Sequence, residues 1–151
     1  MSGADDFVRC ARGLVGGPYR WGGNDPATGV DCSGLVSYCY ERTQHEPMTR
    51  SSHQQFLLGD PVMGERQPGD LLFWNTMGDG AGHVAIYVGG DTVVHALNES
   101  RDVIESDVGA DMGGPYLGAR RLFVQTGNGP PPKPPRVKRE KRLKRIRRDK
   151  A

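Results

Sequence analysis

The feature that most restricts this chain is one change of hydrophobic period. Up to about residue 58 the apolar residues recur at helical spacing; after Pro68 they come in short β-branched and aromatic runs parted by glycine-rich turns. Phe7, Ala11 and Leu14 share one helical face with Cys10 beside them, which predicts a helix over residues 5–15 stopped by Gly16-Gly17-Pro18. In CSGLVSYCYERT, Leu35, Val36, Cys39 and Tyr40 repeat that spacing, with Asp31 placed as the N-cap. A shorter helix is predicted over residues 52–58. DLLFWN, HVAIYVG, TVVHAL, DVIES and ARRLFV then read as strands, and Val84-Ala85-Ile86-Tyr87-Val88 as one buried on both faces. Helices followed by strands, with no helices in between, exclude an alternating βαβ order. The expected fold class is α+β, with N-terminal helices packed on an antiparallel β-sheet.

The 151 residues suit one core. No apolar run approaches the roughly 18 residues of a membrane span, and the opening MSGADDFVRCARG has no apolar stretch like that of a secretory signal. The net charge of +2 conceals an asymmetry. Residues 1–129 hold nine arginines, no lysine and sixteen acids, a net −7; residues 130–151 hold eleven Lys/Arg and two acids, a net +9. We therefore expect a folded domain over 1–126, a Pro/Gly-rich linker over 127–135 (GNGPPPKPP) and a basic, disordered tail over 136–151. Such a tail is either a solvated terminus or an attraction for anionic wall polymers or a membrane surface. Aromatics that could stack on bases are absent after Phe123, so no specific nucleic acid is expected as a partner.

Chemistry centres on cysteine and histidine. Cys32 and Cys39 stand seven apart on one predicted helix, about 10 Å, too far for a bridge. Reduced thiols are the expectation, with Cys10 and Cys39 as small core residues on apolar faces. Cys32 differs, because it opens a helix behind a capping aspartate. Unsatisfied backbone N–H groups there favour thiolate and predict a lowered thiol pKa, and Ser33-Gly34 leave room for a substrate. His45 and His53 lie in polar stretches and read as surface residues. His83 opens one strand and His95 lies in the next, and the short Gly89-Gly90-Asp91 turn can bring them near each other. A thiol, a base (His83) and a group that fixes its tautomer (His95) form the minimum set for cysteine acyl transfer. Zinc held by Cys32, His83 and His95 competes with this reading, but the paired C-x-x-C or H-x-x-x-H ligands are missing. Neither a metal nor another cofactor is expected.

The blocks PYRWGGNDPATGVDCSGLVSYCY, RSSHQQ, QPGDLLFWN, GHVAIYVGG, TVVHAL and YLGARRL follow one another over roughly residues 5–124. In that order they resemble the NlpC/P60 family, papain-like cysteine peptidases that cut peptidoglycan stem peptides. The resemblance implies a papain-like fold, with Cys32 as nucleophile, His83 as base and His95 as the third polar residue. It also implies Tyr19 as an oxyanion or substrate contact and Asp31 and Ser33 as cleft residues, although capping explains Asp31 equally well. A monomeric endopeptidase follows, cutting next to D-Glu through a thioester, with bacterial peptidoglycan as its partner. Without a signal, such a chain is expected to be made in the cytoplasm and to reach the wall after lysis or holin release, as a phage endolysin does, or within a virion. The alternatives are a tail-associated wall-penetration or structural module, and a non-catalytic wall- or nucleic-acid-binding protein. Intact Cys32, His83 and His95 count against an idle module, and the aromatic-free tail against a nucleic-acid binder.

Overall fold

The computed structural model describes residues 3–123, so the predicted linker and basic tail lie outside the described residues. Helix α1 (Gly3–Gly13) starts with Asp5 and Asp6 and ends with Arg12, charges that suit its dipole. It buries Phe7 and Ala11 against helix α2 (Cys32–Gln44). Between the two lies a small hairpin of β1 (Asn24–Asp25) and β2 (Gly29–Val30), whose turn is held by Ala27 N–H donating to Asp25 Oδ1. Helix α2 begins as its spacing predicts: Asp31, in extended conformation, accepts from Gly34 N–H at 2.8 Å.

Helix α3 (Ser52–Gln55) is shorter than the predicted 52–58. Gly59 has φ +62, and a Cβ there would run into the Arg121 carbonyl. The chain must therefore turn early to enter β3 (Asp60–Pro61), which pairs with the last strand.

The main sheet also contains β4 (Leu71–Trp74), β5 (His83–Gly89), β6 (Thr92–Ala96), β7 (Val103–Asp107) and β8 (Tyr116–Arg121). Its order is β3-β8-β4-β5-β6-β7, with each pairing antiparallel. Alternation along β5 explains its continuous apolar run. Val84, Ile86 and Val88 pack with Leu35 and Val36 of α2, while Ala85 and Tyr87 face a second cluster containing Leu72, Trp74 and Val93.

Two expectations need correction. The last strand is not ARRLFV: it starts at Tyr116, so that Leu117 and Ala119 fill the two clusters, and it ends at Arg121. Both Nε and Nη2 of Arg121 donate to the buried Asp70 carboxylate, each at 2.9 Å, and the chain then leaves the sheet. Phe123 packs instead on Phe7 and Tyr40, at ring separations of 5.3 and 5.9 Å. The second correction concerns the thiols. Cys10 and Cys39 form a disulfide, because the packing of α1 on α2 brings their Cα atoms to 5.6 Å. Only Cys32 remains a free thiol.

Candidate active site

Cys32 is the first residue of α2, and its Sγ lies 4.0 Å from the carbonyl of Gly82, the residue before β5. Glycine at position 34 lets the preceding loop close over this helix end, since a Cβ there would strike the Gly23 carbonyl. The expected low thiol pKa does not hold. Burial pushes the Cys32 thiol up to about 11, and the nearby Asp31 charge adds to the rise. The backbone N–H groups of Val84, Ser33 and Cys32 act the other way, but more weakly. A helix start counts only as far as the sulfur stays solvated, and here desolvation wins.

β5 and β6 pair Ile86 with Val94, which sets His83 and His95 diagonally on one sheet face. His83 Nε2 and His95 Nδ1 are 2.7 Å apart, with exposures of only 7% and 1%. Trp74 packs beside His83, its ring centre 6.1 Å away. Burial, and then the neighbouring His95, lower the His83 pKa to about 3; burial lowers that of His95 to about 4. At neutral pH the resting site therefore holds a protonated thiol and two neutral imidazoles. Because His83 uses Nε2 toward His95, Nδ1 is the ring nitrogen outside that bond.

Sequence reasoning missed Ser106. Its Oγ lies 2.8 Å from His95 Nε2, extending the pair into a row of three side chains. The signal was present in DVIES: Val93 pairs with Ser106 and His95 with Ile104, so strand alternation puts Ser106 on the face of His95.

The other predicted residues fall into two groups. Tyr19 is partly buried, its N–H donates to Asp102 Oδ1, and it lines a cleft of about 540 Å³ with Trp21, Asn98, Glu99 and Ser100. Burial raises the Tyr19 phenol pKa, and Cys32, Asp31 and Glu99 add to this as neighbouring charges. Asp31 and Ser33 are instead engaged within the protein. Asp31 caps α2, accepts from Gly22 N–H and pairs with Arg50 at 3.0 Å. The buried Ser33 hydroxyl accepts from Arg50 Nη1 at 2.8 Å. His45 and His53 are exposed, the first as the C-cap of α2 and the second beside Asp79.

The sequence profile of the NlpC/P60 family matches residues 16–121. The chain belongs to that family. Murein DD-endopeptidase MepH of Escherichia coli strain K12 is 37% identical over 115 residues, which cover 73% of this chain and 42% of MepH. Gamma-DL-glutamyl hydrolase of Bacillus subtilis strain 168 is 34% identical over 99 residues, covering 64% of this chain and 24% of that protein. This NlpC/P60 chain thus spans less than half the length of these two curated relatives. The crystal structure of the NlpC/p60 domain of peptidoglycan hydrolase SagA superposes with a TM-score of 0.69 at 32% identity, covering 79% of this chain and 98% of that domain. The papain-like α+β fold implied by the sequence blocks is thus the fold of this NlpC/P60 chain.

Proposed function

We propose that this domain is a cysteine endopeptidase that hydrolyses amide bonds of peptidoglycan stem peptides through a thioester. The observation that carries the reading is the thiol at the start of α2, beside the strand that opens with His83, with His83 hydrogen-bonded at 2.7 Å to His95. The names of relatives at this level of identity, one a murein endopeptidase and one a gamma-DL-glutamyl hydrolase, support it.

Because the resting thiol is neutral, attack and proton transfer go together. Sγ bonds to the amide carbon while His83 Nδ1 takes the thiol proton, and His95 Nδ1 accepts the Nε2–H of the resulting imidazolium. The Cys32 N–H and the Tyr19 hydroxyl are the proposed donors to the oxyanion; one such donor is typically worth about 3–4 kcal/mol. His83 then gives its proton to the leaving amine. In the second half it takes a proton from water, the hydroxide adds to the thioester, and the proton returns to sulfur as the product carboxylic acid departs and ionises in solvent. Trp21, 73% exposed at the cleft, offers an aromatic wall for substrate.

The two relatives' names set out the choice of bond, one a DD-endopeptidase and the other a gamma-DL-glutamyl hydrolase. We assign the bond next to D-Glu. Mass spectrometry of muropeptides after digestion tests this: new ends at D-Glu support the assignment, and loss of D,D-crosslinks alone replaces it with the other bond. Unchanged muropeptides refute hydrolysis.

A further inference from the structure

We propose that Ser106 is a positioning residue: its hydrogen bond to His95 Nε2 holds His95 in the tautomer whose Nδ1 accepts from His83, which keeps His83 Nδ1 free to take the thiol proton. The kinetic consequence rests on the function proposed above, whereas the tautomer assignment does not.

A neutral imidazole has one N–H donor and one acceptor nitrogen, so a row of two has only two polarities. In one, His83 Nε2–H donates to His95 Nδ1 and His95 Nε2–H donates to Ser106 Oγ, over the observed 2.7 and 2.8 Å. In the other, every proton is reversed: Ser106 donates, His95 Nδ1–H donates to His83 Nε2, and His83 carries its proton on Nδ1. That second arrangement presents a donor to the protonated thiol and leaves the base with nothing to accept. A serine hydroxyl can accept while its own hydrogen rotates elsewhere, and Ser106 is only partly buried, whereas His95 is 1% exposed. Without that oxygen, a buried Nε2–H on His95 is left unpaired, at the cost that any buried donor incurs. The tautomer with Nε2 bare leaves an unpaired acceptor instead, which buried sites tolerate better than an orphan N–H; it then becomes favoured and forces the reversed polarity on His83. Deleting one hydroxyl on β7 thus disables the base two side chains away without touching it.

The test combines kinetics with a spectroscopic readout in the full chain. Ser106→Ala should lower kcat about tenfold or more on purified stem-peptide fragments while KM stays within about twofold. Ser106→Thr, which keeps the hydroxyl and suits a strand, should restore most of kcat. In the ¹⁵N spectrum, the His95 ring nitrogens should show the Nε2–H pattern in the parent and in Ser106→Thr, and the Nδ1–H pattern in Ser106→Ala. The proposal is overturned if the ring pattern is the same in all three proteins. It is equally overturned if Ser106→Ala keeps kcat within twofold, or if Ser106→Thr fails to restore it while both variants melt early. If the parent cleaves no peptidoglycan, the function is wrong, and the ring spectra still decide the role of Ser106.

Discussion

His83 Nε2 and His95 Nδ1 meet at 2.7 Å on one face of the sheet, so one ring holds the other through Nε2 and leaves His83 Nδ1 outside that bond. The two histidines should therefore fail differently. His83→Ala removes the proton acceptor and should reduce kcat by about three orders of magnitude or more. His95→Ala should retain more turnover, a loss of about ten- to hundredfold, because it orients and does not transfer the proton. Steady-state kinetics on a stem-peptide substrate separates them; equal losses would put both in direct proton transfer.

The buried pair also fixes the pH window of stability. Folded His83 and His95 titrate near 3 and 4, below the ordinary 6.5. Above pH 6.5 they are neutral in both states and cost nothing; below it the unfolded chain takes up protons that the fold refuses. Stability should then fall by on the order of 1.4 kcal/mol per pH unit for each ring, until the folded pKa is reached. Cys32 does the converse, since its folded pKa of about 11 exceeds the ordinary 9.0, and stability falls as pH rises above 9. Thermal midpoints across pH should peak between about 6.5 and 9. Alkylation of Cys32 by iodoacetamide should keep accelerating up to about pH 11. A plateau already reached near pH 6 would mean a resting thiolate–imidazolium pair and contradict the neutral site.

Much of this was legible in the chain. The Asp31 cap, α2 and the strand bearing His83 follow local rules of capping and period, and the sequence blocks point to the family. What local rules cannot express is how elements meet. The Cys10–Cys39 bridge depends on the approach of two helices, and neither helix carries a sign of the other. The Cys32 pKa went in the wrong direction for the same reason: a helix start argues for a lower value, whereas burial of the sulfur in the packed fold raises it. For Ser106 the alternation in DVIES fixes a face shared with Ile104, but not the strand that this face meets, so its contact with His95 went unread.

The disulfide closes 29 residues and should contribute about 3–4 kcal/mol through the unfolded chain. Reduction, or the double substitution Cys10→Ala with Cys39→Ala, should lower the melting midpoint by roughly 10–20 °C. Activity at 25 °C should stay within about twofold, since neither sulfur touches the site. Calorimetry with and without reductant reads the shift, and identical midpoints would show that the bridge does not form in solution.

Residues 130–151 carry +9 against −7 for the rest of the chain. Removing them should leave turnover of a small soluble stem peptide nearly unchanged and weaken binding to whole anionic walls. The difference should shrink with salt, because screening acts over about 8 Å at 0.15 M. Pull-down on isolated walls across a salt series measures it. Equal binding at low salt would remove the electrostatic anchor, and lost soluble-peptide turnover would move the domain boundary.

The central claim is that the one free thiol, Cys32, is the nucleophile. Cys32→Ala, assayed on purified peptidoglycan beside the parent and checked for an unchanged fold by its melting curve, tests it most directly. We predict hydrolysis at the buffer background, with a melting midpoint within a few degrees of the parent. A folded Cys32→Ala protein that still releases muropeptides would contradict the account.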